Sequence, residues 1–262
     1  MQYKITISSR YLILHYGLLY LLFFYYVPII GGLYKTGNAM AKEYYAKLLR
    51  KEKIAKDTFL FALQKPHDFL FSSGQFQTTT LQMPSGKSDW RDFTIASNPG
   101  ESELWIVTKI TNTASLFKKT LLHVPIGSQI LLEGAKGGFT LDKNEKRQHV
   151  FLAGGIGVTV FRSMLTAKEN KNLDALLIAS FSSKTEAIFQ KELEMLGEKI
   201  IYHESGKKGR LSKEALQKYI PKIKEEIFLI AGGQDFVDAI SAMLLQLQVP
   251  QENIRIDYFT GY

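Results

Sequence analysis

The sequence contains no cysteine. That absence excludes disulfides, thiolate zinc sites, a cysteine nucleophile and a cysteine-held iron–sulfur cluster. Histidine is sparse: His15, His67, His123, His149 and His203 lie far apart, with no HxH or HExxH spacing. A metal site therefore has little support. Internal repeats and low-complexity tracts are also missing. With 45% hydrophobic and 22% charged residues, the composition excludes disordered, collagen-like and coiled-coil chains. A length of 262 residues admits one large domain or two of ordinary size. The net charge is +8; residues 1–41 hold three basic side chains and no acid, leaving +5 for residues 42–262. That mild excess suits an acidic protein partner or a phosphorylated cofactor, and is too diffuse to argue for nucleic acid.

An uncharged apolar run extends from Tyr11 to Leu33. As a helix it would span about 34 Å, enough for a hydrocarbon core of roughly 30 Å. Lys4 and Arg10 precede it, and Lys35, Lys42, Lys47, Arg50, Lys51, Lys53 and Lys56 follow. The heavier downstream charge places the bulk of the chain in the cytoplasm, so a single-pass membrane anchor is the expectation. Three other readings stay open. Ala39-Met40-Ala41 has the small-x-small form of a signal-peptide cleavage site. The run could be a buried helix. Met40 could be the true start, which would make the protein cytoplasmic and soluble.

After residue 41 the pattern divides in two. Segments 58–63, 74–83, 91–97, 104–110 and 128–134 are short, rich in β-branched and aromatic residues, and separated by Gly, Pro, Ser and Asn. They predict a barrel or sandwich, with one helix near 114–122. From 149 onward, strands at 149–154, 175–181, 199–204, 226–232 and 253–259 alternate with helices at 158–170, 185–197, 212–220 and 236–248. Such β-α units predict a doubly wound parallel sheet covered by helices on both faces. The charged stretch Asp142–Gln148 is the seam. The expected domains are an N-terminal segment 1–41, a β domain 42–147 and an α/β domain 148–262.

Four motifs stand out. Ala153-Gly154-Gly155-Ile156-Gly157-Val158-Thr159 follows an apolar strand and opens a helix. Its glycines allow a tight turn and close ligand approach, and helix N–H groups there favour phosphate. Thr159 offers a hydroxyl donor. A GGxG turn can also be purely steric. In Arg91-Asp92-Phe93-Thr94-Ile95-Ala96-Ser97 an arginine with a planar fork suited to phosphate lies in a strand; an edge strand with one exposed arginine is the plainer reading. Lys118 and Lys119 are either a solvated basic face or an anion site at a helix start. The tail Asp257-Tyr258-Phe259-Thr260-Gly261-Tyr262 follows an apolar strand, and its aromatics either stack on a flat ligand or simply pack.

Taken in order, RDFTIAS, the small helix, GGIGVT and FTGY resemble the ferredoxin–NADP reductase superfamily of flavin oxidoreductases over about residues 42–262. The resemblance implies a six-stranded antiparallel FAD-binding barrel followed by an NAD(P)-binding α/β domain. By the family's RxY[ST] motif, Arg91 would meet the flavin phosphate, Phe93 would stack near the flavin, and Thr94 would approach flavin N5. Phe93 stands where Tyr is usual and loses a hydroxyl. Ile95, Ala96 and Ser97 would continue the flavin-contacting strand, and Gly74-Gln75-Phe76 matches a structural GQF turn. Ser115 to Lys118 matches the segment that receives the FAD diphosphate, with Ser115 where many members have Gly. Gly154, Gly155, Gly157 and Thr159 match the nicotinamide-dinucleotide loop, with Val160 in place of the frequent Pro. Phe259 or Tyr262 would lie near the flavin. Ala231-Gly232 departs from the family's Cys-Gly pair. Lys184, with help from Arg210, could meet an NADP 2′-phosphate, which leaves NADH and NADPH both open.

The expected activity is therefore an NAD(P)H-dependent flavoprotein reductase. Hydride would pass from the nicotinamide to FAD (FMN is the lesser option), with Thr94 and Tyr262 in catalytic positions. Electrons would leave to an external acceptor such as an acidic ferredoxin or a flavodoxin. The alternatives are a membrane-associated electron-transfer or scaffold subunit without turnover of its own, and a nucleotide-binding α/β protein that has lost flavin.

Overall fold

Apolar residues spaced two apart along the strands build the core of the first sheet. A computed structural model describes residues 42–197 and 199–259. Six antiparallel strands, β1 (Glu43–Ala55), β2 (Thr58–Gln64), β3 (Phe76–Gln82), β4 (Ser88–Thr94), β5 (Glu103–Lys109) and β6 (Gln129–Lys136), lie in the order β4-β3-β6-β1-β2-β5. Pairs two residues apart point inward: Ala46 and Leu48, Phe61 and Leu63, Leu104 and Ile106, Ile130 and Leu132. A period of two puts such residues on one face of a strand. Helix α1 (Leu116–His123) lies between β5 and β6 in sequence and packs on β3 and β4. It buries Phe117 and Leu121 in the same core.

The sequence did not mark β1. Its segment EYYAKLLRKEKIA is charged at almost every second position, and two register shifts against β2 interrupt its alternation. Pairing on both sides, with β2 and β6, overrides that weak local pattern. The other strands fall within a few residues of their expected bounds.

The second sheet is parallel, in the order β11-β10-β7-β8-β9. Its strands are β7 (His149–Gly154), β8 (Ala175–Phe181), β9 (Lys199–Glu204), β10 (Ile227–Gly232) and β11 (Ile254–Tyr258). The helices are α2 (Val158–Leu165), α3 (Gln190–Glu194), α4 (Ser205–Lys208), α5 (Lys213–Tyr219) and α6 (Gln234–Gln246). Both faces are covered. Phe151 and Ala153 of β7 join α2 in one core; Val150 and Leu152, their neighbours, join α5 and α6 in another. The strand order reverses between β7 and β10, which is where ligands sit in such sheets. The helix expected over 185–197 shrinks to α3, because Phe189 adopts φ +59° immediately before it.

The described residues belong to one compact unit. Arg162 of α2 ties its two sheets together. Its side chain is 2% exposed and reaches the Glu101 carboxylate, the Ala96 carbonyl and Glu192. Among the described residues, no helix is long and apolar enough to cross a membrane. The anchor expected over Tyr11–Leu33 lies outside the described residues.

Candidate functional site

Two cavities open at the C-terminal ends of the parallel strands. The larger, about 370 Å³, is a cleft between the two sheets. Arg91 to Thr94 of β4, Val107 and Thr108 of β5, and Lys118 of α1 form its barrel wall. Ile156, Gly233 and the end of β11 (Asp257, Tyr258) with Phe259 form the other wall. The second cavity, about 260 Å³, lies beside Gly154 and Gly155, against Ser180 to Ser182 and the first turn of α6. One turn, Gly154–Gly157, separates them: Gly154 and Gly155 face the second cavity and Ile156 faces the cleft.

The barrel wall carries two cations, Arg91 and Lys118, and one acid, Asp92. Arg91 donates from Nη1 to Asp89 at 2.8 Å, and its guanidinium lies 5.3 Å from the centre of the Phe117 ring. Lys118, one residue further along α1, has its pKa pushed down, first by burial and then by the nearby Arg91 charge. No carboxylate pairs with Lys118 among the described residues. Two cations held against mutual repulsion at a half-buried cleft are an arrangement that an anion stabilises. Ser115 caps α1, accepting from the Lys118 amide at 3.5 Å. Thr94 lines the cleft, and its hydroxyl has no hydrogen-bond partner among the described residues. A phosphorylated, flat cofactor fits these residues: cations and a helix start for its phosphates, an uncommitted hydroxyl for its ring.

Several residues fall elsewhere than expected. Ile95, Ala96 and Ser97 are fully buried and do not line the cleft. The Ala96 carbonyl accepts from Arg162 at 3.1 Å, and the Ser97 carbonyl accepts from Ser163 at 2.7 Å. These residues brace β4 against α2. Phe93 is 8% exposed and its ring packs on Phe117 in the barrel core, so only its margin reaches the cleft. Thr159 is 2% exposed and donates to the Ile156 carbonyl at 2.8 Å. Its hydroxyl closes the turn by that bond. Tyr262 lies outside the described residues, whereas Phe259 lines the cleft and is tied to the Gly232 carbonyl by its amide at 2.7 Å.

The glycines divide by role. A Cβ on Gly157 would sit 2.2 Å from the Ala231 carbonyl oxygen, and one on Gly154 would sit 2.6 Å from the Phe236 ring. Both are steric requirements of packing. Gly155, at φ +54°, has open space where its side chain would be. It is the member of the turn that leaves room for a ligand. Ala231, in the family's Cys position, is fully buried against Gly157, and Gly233 is the residue that reaches the cleft.

Asp257 went unnoticed in the sequence. Burial alone raises its pKa to about 6. Its signal was an acid in the last strand, IRIDY, at the strand end that faces the switch point.

Known proteins agree with this geometry. No protein-family model matches the chain. It is 27% identical over 237 residues to a flavohemoprotein of Oceanobacillus iheyensis, covering 81% of this chain and 58% of that one. It is 27% identical over 213 residues to ferredoxin–NADP reductase B of Sorangium cellulosum, covering 73% of this chain and 86% of the relative. The structure of a Neisseria gonorrhoeae ferredoxin NADP+ reductase with bound FAD and NADP superposes with a TM-score of 0.72 at 21% identity, over 85% of this chain and 100% of that one. In sequence and fold the chain is similar to the ferredoxin–NADP reductase group of flavin oxidoreductases. The chain spans 55–58% of the length of that flavohemoprotein and of the glycine betaine monooxygenase reductase subunits that it matches, and 32–39% of three longer relatives.

Proposed function

We propose that this ferredoxin–NADP reductase-like chain is an FAD-dependent NAD(P)H oxidoreductase that passes electrons to an external acceptor. One observation carries the reading: a single glycine turn at the strand-order reversal parts a cationic cleft from a nucleotide-sized cavity. When bound in the cleft, FAD supplies the capacity to accept hydride from a reduced nicotinamide and release electrons onward. Arg91 and Lys118 bind its phosphates, and the Ser115 cap leaves the start of α1 to face them. Thr94 offers its hydroxyl to the flavin ring. Gly155 admits the dinucleotide, and Phe259 covers the cleft from the α/β side. Holding both reactants in fixed orientation is the protein's main contribution to rate. No acid–base dyad is needed for this chemistry.

The finer parts of the reading rest on the sequence. A mild positive excess favours an acidic redox protein such as a ferredoxin or flavodoxin as acceptor. Membrane attachment rests on the uncharged run Tyr11–Leu33 alone, and separation of cell membranes from cytosol, followed by blotting, tests it. A scaffold subunit without turnover is the weaker alternative, since the named relatives include a reductase. The deciding experiment is flavin retention. The purified chain should be yellow and hold FAD through gel filtration, and Arg91→Ala should emerge colourless but folded. A wild-type chain that stays colourless after incubation with FAD sinks the proposal.

A further inference from the structure

A third cavity, about 800 Å³, lies at the end of the parallel sheet opposite the cleft. Ile227, His149 and Ala175 stand in register across β10, β7 and β8. The residue before each of them, Glu226, Gln148 and Asp174, lines this cavity. These are the N-terminal ends of the strands, whereas the cleft and the second cavity occupy the C-terminal ends. Backbone bonds fix the row. The Ile227 amide donates to the Gln148 carbonyl at 3.0 Å, and the His149 amide donates to the Asp174 carbonyl at 2.9 Å. Gln148 Nε2 also donates to Asp174 Oδ1 at 2.9 Å. The turn after α5 closes one side with Pro221, Lys222 and Glu225.

The cations on the cavity wall are already engaged. Arg147 is paired with Glu145 at 2.6 Å and donates to Asn253 at 3.0 Å. Lys222 reaches Glu225 at 3.6 Å, and Lys199 stands 4.0 Å from Asp174; all four side chains are largely exposed. Glu226 differs from the other two acids. It is 8% exposed, and no hydrogen bond or ion pair reaches its carboxylate among the described residues. Burial raises its pKa, the Asp174 and Glu225 charges raise it further, and Lys222 and Arg147 pull it down. A buried carboxylate without a partner, repelled by two others, is stabilised by an incoming cation. No group of three or more His, Asp or Glu among the described residues is placed to hold a metal ion, and the space is that of a small organic molecule.

We propose that this cavity binds the primary ammonium groups of an aliphatic polycation, one on Glu226 and another beside Asp174. The two positions stand two strand spacings apart, roughly 10 Å, a span that the methylenes of a polyamine cover. The site is independent of the reductase reading, and either can fail without the other. A chain of net charge +8 repels polycations as a whole, so their binding reports a local site. Calorimetric titration of the FAD-loaded full chain at pH 8 with spermidine and with butylamine measures it. The wild type should bind spermidine about tenfold or more tightly than butylamine, which offers a single ammonium. Glu226→Gln should lose about tenfold in spermidine affinity, yet melt higher than the wild type without ligand, because the unpaired charge is gone. Asp174→Asn, at an exposed position, should narrow the spermidine-to-butylamine ratio, and it keeps the test decisive if Glu226→Gln fails to fold. Flavin content should be unchanged in both variants. Magnesium chloride at equal ionic strength should leave spermidine bound. A Lys-Gly-Lys peptide separates the two sources of this chemistry: tighter binding than spermidine assigns the ammonium to a partner protein, and weaker binding assigns it to a free polyamine. No spermidine binding in the millimolar range, equal affinity in the wild type and both variants, or full displacement by magnesium overturns the proposal.

Discussion

Arg162 and Glu101 join the barrel to the nucleotide domain through two parallel hydrogen bonds, Nη1 to Oε2 at 2.7 Å and Nη2 to Oε1 at 2.9 Å. The same guanidinium lies 4.1 Å from the centre of the Trp105 ring and also pairs with Glu192 at 2.5 Å. One fully buried cation thus answers two carboxylates from different elements while stacking on an indole. Removing it leaves two partly exposed acids without their buried cation.

Arg162→Met should destabilise the fold by about 3–5 kcal/mol, the cost of breaking a buried ion pair. Because the cleft spans the same boundary, flavin affinity should fall with it. Urea titration and FAD binding measure the two effects. A loss below about 1 kcal/mol would mean that the pair behaves as an exposed one. Combining Arg162→Met with Glu101→Gln and Glu192→Gln should recover part of the loss, since no buried charge is then left alone.

Lys118→Met should change two quantities in opposite directions. Without flavin, the variant should be slightly more stable than the wild type, because burial and the Arg91 charge both oppose the ammonium. With flavin, affinity should drop about tenfold, the scale of one charge-assisted contact. Thermal melting with and without FAD reads both. A stability loss in the flavin-free protein would show that Lys118 has a structural role instead.

The glycine turn separates packing from binding. Gly157→Ala forces a Cβ against the Ala231 carbonyl, and the chain should fail to accumulate as folded protein. Gly155→Ala has open space but keeps φ +54°, which costs roughly 1–2 kcal/mol. It should fold, retain flavin and lose affinity for the pyridine nucleotide. Circular dichroism and nucleotide titration distinguish the two variants. Unimpaired nucleotide binding by Gly155→Ala would leave this turn with only a steric purpose.

Asp257 should give the fold an acid-side pH dependence. Burial raises its pKa to about 6 in the folded chain, from 3.8 as the ordinary value. Between those values the unfolded chain binds fewer protons than the folded one, so stability falls as pH rises from about 4 to about 6 and is then flat. The total is on the order of 3 kcal/mol. Asp257→Asn should remove this slope and be more stable than the wild type at pH 8. Melting temperatures measured across that range test it; parallel profiles for the two proteins would contradict it.

The sequence revealed most of the parallel half and less of the cleft. Buried strands such as ALLIASF have an unbroken apolar signature, and that local signal set their bounds within a residue. The strand β1 was hidden because its charged, bulged pattern makes sense only when β2 and β6 are beside it. For Ile95 to Ser97 and for Thr159 the sequence did not show, for a related reason, which atoms are engaged within the fold. A motif says which residues stand together but not which side of the backbone is already committed, and here α2 takes the Ala96 and Ser97 carbonyls while the turn takes the Thr159 hydroxyl. Arg162 was not singled out in the sequence, because nothing local indicates that two distant glutamates surround it. Arg91, Lys118 and Gly155 drew notice because charge in a strand, charge at a helix start and adjacent glycines each admit a ligand, but for Arg91 and Lys118 a solvated cation read as well and only the family resemblance gave them a role.

The central claim is that a flavin held by the cationic cleft takes hydride from a nucleotide held beside the glycine turn. Anaerobic titration of the FAD-loaded full chain with NADPH, followed by visible absorbance, tests it most directly. The account predicts that the flavin band bleaches with one equivalent of NADPH and returns when an electron acceptor is added. A flavin-loaded chain whose spectrum stays unchanged in excess NADPH and NADH would contradict it.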